Sequence, residues 1–389
     1  MRTFLKYFVL SLIILIGAAS AFFWLSGKTY MFFLLRHTVF EGRLGPSIYE
    51  YQIYDNNTVN VGTPKPWHIA STYSESTLNE TELAYHQKYH SAAFAVMRDD
   101  TLLHETYWGQ SSDTSHLNSW SMAKSIISHL IGCALKDGLI KDINDPVGNY
   151  LKNREGDQTT IRDLLTMSSG YDYDESYINP FSYSARSLYD KDIRSVHQLY
   201  RETKKPGVAF DYQSANTQML GFILMEVTGK SLSEYASEKL WRPIGAEHRA
   251  YWSVDHSGGI ERAFCCFNSN ARDFGKFGLL YLNQCWLDDS TRLVDSAYYE
   301  QAIQPATYLT DADGMNNRYG YQWWTMNYQD ENLFYARGIQ GQYIIVLPKR
   351  RLVIVRQGES RPSIRINGHP EDVYKYIDMG IRIAQNSEH

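Results

Sequence analysis

Cysteine is scarce in this chain. Its 389 residues include four, Cys133, Cys265, Cys266 and Cys285. They match neither a zinc-ligand spacing nor a dense disulfide framework, so structural thiols are expected. Cys265 and Cys266 are adjacent, and a bridge between them is expected only with strain; pairing of Cys285 with either one stays open. Long basic runs are also missing, and the net charge is -5, which argues against nucleic acid as a partner. His86 and His90 lie four apart on a predicted helix, but no carboxylate accompanies them in a metalloprotease arrangement, so no metal site is expected.

Charge is absent from Tyr7 to Leu25, and that apolar run is long enough to cross a bilayer. Arg2 and Lys6 on its short side predict a cytoplasmic N-terminus and an exported remainder. Ala19-Ser20-Ala21 resembles a signal-peptidase site, yet Phe22, Phe23, Trp24 and Leu25 extend the run past a normal signal core. Residues 1–27 are therefore read as an uncleaved signal anchor or transmembrane helix. The catalytic part is then expected on the periplasmic or extracellular side. Residues 28–80 read as a membrane-proximal arm, and 81–389 as the main domain.

What is present is a globular composition, 43% hydrophobic and 21% charged, able to bury a sizeable core. Thirty Tyr and nine Trp suit a well-packed core and, for a few of them, an organic-substrate cleft. Ser91–Val96 and Leu102–Trp108 read as a hairpin, as do Gln342–Leu347 and Leu352–Arg356 around Pro348-Lys349-Arg350-Arg351. Thr160–Gly170 reads as a capped helix, and Glu371–Gln385 as a closing helix. Helical periodicity dominates from Ile193 to Leu282. Strands at both chain ends with a helical middle predict an α/β (α+β) fold: an antiparallel sheet built from the two ends, flanked by helices, with a helical subdomain over about 139–318.

Chemistry concentrates at Ser121-Met122-Ala123-Lys124. Ile126, Ile127, Leu130, Ile131, Ala134 and Leu135 recur at helical spacing, so one face of this helix is expected in the core. Residues three apart share a helix side, which brings the Lys124 amine beside the Ser121 hydroxyl. A serine needs a base to become a nucleophile, and a lysine serves only when neutral, as burial favours. The positive end of the helix dipole acts in the same direction and stabilises a developing oxyanion. Alone, the tetrapeptide reads equally as an N-cap serine with a solvated lysine.

Ser121-x-x-Lys124, followed by Tyr212-x-Ser214 and then Ala336-Arg337-Gly338-Ile339, together resemble the serine β-lactamase and penicillin-binding-protein superfamily. The likeness is to its class C β-lactamase-like branch, that of 6-aminohexanoate-dimer hydrolases and related esterases. Leu164–Gly170, Leu220–Leu232, Asn270–Gly278 and Tyr319–Trp324 fit the same branch, and the resemblance spans roughly 85–385. It implies a β-lactamase/transpeptidase-like fold and a serine hydrolase that forms an acyl-enzyme without metal or organic cofactor. Ser121 would be the nucleophile, Lys124 its proton acceptor and Tyr212 the proton shuttle. A tyrosine beside a lysine cation is expected to have its phenolate favoured.

The backbone N–H groups of Ser121 and Ile339 would form the oxyanion hole, with Gly338 allowing close approach. Ser214 stands where relatives carry an amide, and it can still hydrogen-bond the lysine or the substrate. Tyr173, Tyr177 and Trp324 are placed by the resemblance as substrate contacts.

The sequence departs from β-lactamases proper in having no Lys-Thr-Gly. The cation that would bind a substrate carboxylate is missing there unless Arg337 replaces it. An amide or ester of a small molecule is the expected substrate, with the membrane as the other partner; oligomeric state is left open. Two alternatives are a cell-wall D-Ala peptidase or β-lactamase, and a non-catalytic penicillin-binding-type sensor.

Overall fold

The computed structural model describes residues 1–387 except 44, 74, 76 and 313. The apolar N-terminal run forms helix α1 (Arg2–Leu25), which buries no residue against the rest of the chain. A short turn leads to α2 (Tyr30–His37). Phe23 near the end of α1 packs in one small cluster with Tyr30 and Met31 of α2 and with Leu188 and Tyr189.

The arm that follows is not merely draped on the main domain. It supplies β1 (Asn56–Val59) and β2 (His68–Ile69), each to a different sheet. Helix α3 (Glu80–Lys88) starts with a capping box between Asn79 and Glu82, which satisfies two otherwise orphaned N–H groups. Strands β3 (Ser91–Arg98) and β4 (Thr101–Tyr107) are the predicted first hairpin. Asp99 takes φ +50 at its turn, a conformation Asp tolerates better than most residues.

After β5 (Leu117–Asn118) comes α4 (Ala123–Lys136). The helical region continues with α5 (Ile161–Leu165), α6 (Tyr183–Tyr189), α7 (Ile193–Val196), α8 (Ser214–Thr228) and α9 (Leu232–Ala236). Two short strands, β6 (Ala250–Ser253) and β7 (Phe267–Ser269), interrupt it before α10 (Ala271–Leu282) and α11 (Ser296–Ala302). The strand pair β8 (Thr310–Asp311) and β9 (Gly314–Met315) then leads to β10 (Trp324–Tyr328), β11 (Glu331–Gly338), β12 (Gln342–Leu347) and β13 (Leu352–Gly358). Helix α12 (Glu371–Asn386) closes the fold.

The main sheet runs β10-β11-β12-β13-β3-β4-β2, antiparallel except for the parallel β2–β4 edge. Both chain ends build it, as the patterning predicts. Alternation along β12 decides the two faces: Ile344 and Val346 join the core shared with α10, while Tyr343, Ile345 and Leu347 join the core shared with α12. A one-residue slip would exchange those faces, so the register is fixed by burial. Gly278 sets the close approach of α10, because a Cβ there would meet Val353 Cγ1 at 2.5 Å.

Two expectations need correction. Helix α4 buries nearly its whole circumference rather than one face. Its polar side is tolerated because most of its groups find partners: Ser125 Oγ donates to Gln322 O, Ser128 Oγ pairs with Tyr298 Oη, and His129 Nε2 lies against Lys239 O. Cys265 and Cys266, read as structural thiols that would bridge each other only with strain, form a disulfide. The chain turns tightly there, with Cys266 at φ +65 and Cys265 N–H donating to Arg262 O, so neighbouring side chains do not point to opposite sides as in a strand. Cys133 and Cys285 are free and buried, and burial pushes the Cys133 thiol up to about 12.

Arg356 of β13 connects the sheet to the site. It is fully buried, and its guanidinium donates to Ser91 Oγ, Tyr89 O, Ser360 O, Gln340 O and Gly341 O. The last two carbonyls belong to the turn between β11 and β12. Arg356→Met is expected to cost about 3 kcal/mol, since buried acceptors left without donors cost roughly 1–3 kcal/mol each and water can reach only some of them. Urea unfolding of the two proteins measures this directly.

Candidate active site

Three elements converge on Ser121: the turn entering α4, the start of α8, and the exit of β11. The Ser121 turn is shaped by its neighbours. Trp120 adopts φ +46, an unfavourable conformation for a bulky residue. Its N–H is held by Asn118 Oδ1 at 2.8 Å, and its indole N–H by Gln340 Oε1 at 2.8 Å. The second bond ties the nucleophile turn to the residue after Ile339. Gly338 completes the contact: a Cβ there would come within 2.4 Å of Ser119 O. The Ser121 and Ile339 backbones are thereby held side by side at one cavity wall.

Lys124 is buried and makes three polar contacts, with Ser121 Oγ at 3.1 Å, Ser214 Oγ at 3.1 Å and Phe264 O at 2.9 Å. Burial lowers its pKa to about 8, opposed by the negative charge of Glu175. The Glu175 carboxylate accepts from Ser214 N–H at 2.6 Å, from Ser214 Oγ–H at 2.6 Å and from Tyr177 Oη–H at 2.5 Å.

These partners fix proton positions. Ser214 spends its one O–H on Glu175, so towards Lys124 it can only accept, as Phe264 O must. A neutral amine has two N–H bonds and one lone pair. Both N–H bonds are taken by Ser214 and Phe264, so the lone pair faces the Ser121 hydroxyl.

Tyr212 lies beside the pair, in hydrogen-bond contact with Ser121, and Lys124 Nζ is 5.2 Å from its ring centroid. The expected phenolate is not favoured. Burial is the largest influence and pushes the Tyr212 pKa up, outweighing the lowering by Ser121, Arg337 and Arg361, so Tyr212 is a proton donor at neutral pH.

The remaining candidates separate. Tyr177, Ser214 and Ile339 line the cavity with Ser121. Tyr173 does not: it is buried among Tyr183, His197 and Tyr200, with its hydroxyl on Ser187 Oγ. Trp324 is buried behind Tyr212 at 5.6 Å between ring centroids, and the Arg337 guanidinium stacks on its other side at 3.3 Å. Arg337 is not among the described residues that line the cavity with Ser121. Glu175 was missed by sequence reasoning. Its only signal was an acidic residue in a loop two positions before Tyr177, far in sequence from the serine it orients.

Comparison with known proteins places these features in context. The family model described as Beta-lactamase matches residues 77–363. A 6-aminohexanoate-dimer hydrolase of Paenarthrobacter ureafaciens is 29% identical over 285 residues, 68% of this chain and 71% of that protein. A teichoic acid D-alanine hydrolase of Staphylococcus aureus is 23% identical over 259 residues, 61% of this chain and 58% of that protein. Among solved structures, a candidate 6-aminohexanoate-dimer hydrolase of Bacillus anthracis superposes with TM-score 0.74 at 23% identity, covering 88% of this chain and 93% of its own.

Four outcomes are expected from this geometry. Acylation should accelerate as pH rises and level off above about 8, because the lowered lysine pKa means that the neutral amine accumulates through that pH. Lys124→Met should lose about 10²–10⁴-fold and the pH dependence with it. Glu175→Gln removes a charge that raises the lysine pKa, so its profile should shift to lower pH. Gly338→Ala drives a methyl into Ser119 O and should reduce turnover by about 10²–10³-fold, the range for a lost oxyanion donor. Stopped-flow acylation across pH reads all three variants.

Proposed function

This chain belongs to the beta-lactamase family, and on that premise we propose that it is a serine hydrolase cleaving an amide or ester through an acyl-enzyme on Ser121. The single observation that carries the reading is the contact of the buried Lys124 amine with Ser121 Oγ at 3.1 Å, beside Ser214 Oγ and Phe264 O, an arrangement in which the neutral amine keeps its lone pair for the Ser121 proton.

Ser121 Oγ attacks the carbonyl carbon as its proton passes to Lys124 Nζ. The negative oxygen that develops is held by the N–H groups of Ser121 and Ile339. Tyr212 donates its phenolic proton to the leaving nitrogen or oxygen and is left as a phenolate beside the Lys124 cation. Water then attacks the acyl-enzyme as its proton passes to the Tyr212 phenolate, and Lys124 returns its proton to Ser121 Oγ as the acid is released.

The relatives' names differ in substrate, a 6-aminohexanoate dimer in one and teichoic acid D-alanine in another, so family membership supports hydrolysis more firmly than any one substrate. The stacking of Arg337 on Trp324 tells against carboxylate-anchored cell-wall peptides or β-lactams. The three groups around Ser121 tell against a non-catalytic sensor, which has no use for a basic lysine. Helix α1 is the one helix among the described residues long and apolar enough to cross a membrane. With Arg2 and Lys6 on its short side, it supports an anchor at residues 1–27 and an exported hydrolase domain.

Intact-mass spectrometry after incubation with a fluorophosphonate is the test. One adduct on the parent protein and none on Ser121→Ala is expected, while benzylpenicillin should leave the mass unchanged. A folded parent that takes no fluorophosphonate would sink the mechanism.

A further inference from the structure

The cavity that opens at Ser121 extends well beyond the reacting groups. It occupies about 410 Å³ and continues between Met31, Leu34 and Leu35 of α2 and Ala185 and Leu188 of α6, within the size range of small-molecule sites. Its far wall is therefore the helix that follows α1 after four residues, and Phe23 of α1 packs against that same wall. The mouth is apolar as well: Ile178 is 94% exposed and Val39 56%, with Phe40 and Phe181 exposed beside them. Exposed apolar patches of this kind mark contact with a membrane or an apolar ligand. Among the described lining residues the only charged side chain is Arg43, and its guanidinium is already paired with Glu41 and Glu50. Nothing charged is left in the groove to recognise a peptide carboxylate.

We infer that this groove holds the hydrocarbon chain of a membrane-resident acyl donor, so that the substrate is a long-chain carboxylic ester or amide entering from the bilayer surface. The inference rests on Ser121 being the acylated nucleophile. The groove meets the catalytic centre at Trp120, Ser121, Ile339 and Gln340, so a chain lying in it would end at a carbonyl carbon beside Ser121 Oγ and the two N–H groups. Acylation forms the Ser121 ester and breaks the bond to an alcohol or amine, which departs with a proton. Water then releases the fatty acid. A chain drawn from the bilayer stays in apolar surroundings throughout, while the polar leaving group remains on the aqueous side with Tyr212.

The full chain in phosphatidylcholine nanodiscs, assayed with p-nitrophenyl acetate, hexanoate and decanoate, tests this. The value of kcat/KM is expected to climb from acetate to decanoate, by up to about fourfold for each methylene that enters the groove. Leu188→Trp and, separately, Ala185→Trp fill the groove and should lower the decanoate-to-acetate ratio about tenfold or more, the equivalent of losing two methylenes. Two variants guard against one failing to fold. A flat or falling series on protein that still takes the fluorophosphonate would overturn the groove assignment and leave the hydrolase standing. A rising series that both tryptophan variants preserve would overturn it too. Absence of the fluorophosphonate adduct would instead overturn the reading beneath it.

Discussion

A lysine placed where water cannot reach it must satisfy its hydrogens from fixed neighbours, and this constraint organises the site. Lys124 finds Phe264 O and Ser214 Oγ, and Ser214 can accept only because Glu175 takes its proton. Two opposing influences act on the amine. Burial favours the neutral form, whereas Glu175 favours the cation. Burial prevails, yet the carboxylate keeps the lysine close enough to neutral pH to hold a proton temporarily. A lysine buried without that partner would be neutral but a weaker base; one in water would be permanently charged.

The fold exists around this arrangement in a specific sense. Ser121 and Lys124 come from the start of α4, Tyr212 and Ser214 from the start of α8, and Ile339 from the end of β11, so three separate chain segments must meet within hydrogen-bond distance. The main sheet fixes β11 through its neighbours β10 and β12, and Arg356 clamps the turn that follows it. The second sheet, in the order β1-β6-β7-β5, holds Leu117 and Asn118 beside β7. Asn118 in turn holds the strained Trp120 before the nucleophile. Ser121, Tyr212 and Ile339 sit in short turns directly at the ends of α4, α8 and β11, so packed elements hold the turns in place.

Periodicity made the main sheet legible, because β3, β4, β12 and β13 are long enough for alternation to show. It could not show β6 and β7. These strands have four and three residues, and their burial comes from pairing with β1 and β5, which lie more than a hundred residues away in the chain. Ser121 and Lys124 were readable from a local spacing, and Tyr212, Ser214 and Ile339 from the order of motifs. Glu175 was not, since it acts through the polarity of one hydroxyl, which no spacing encodes. Tyr173 was drawn to the site by the resemblance alone, and the structure turns it into an aromatic core. The Cys265–Cys266 bridge was foreseen only with strain, because adjacency alone does not show where the backbone turns, and at Cys266 it does.

The replacement of a lysine by Ala336 and the stacking of Arg337 on Trp324 alter more than one contact. In a site built for anionic substrates, a cation near the β11 exit offsets the desolvation of a carboxylate, and without it that desolvation is uncompensated. Here the β11 exit contributes Ile339 to a cavity whose remaining walls are mostly apolar. Binding energy must then come from removing hydrocarbon from water, which is non-directional and grows with the length of chain buried. Such a cavity discriminates weakly among chemical groups and strongly by size and polarity. In the proposed mechanism, directional selectivity is left to the reacting carbonyl itself, through the N–H groups of Ser121 and Ile339 and the proton path from Ser121 to Lys124.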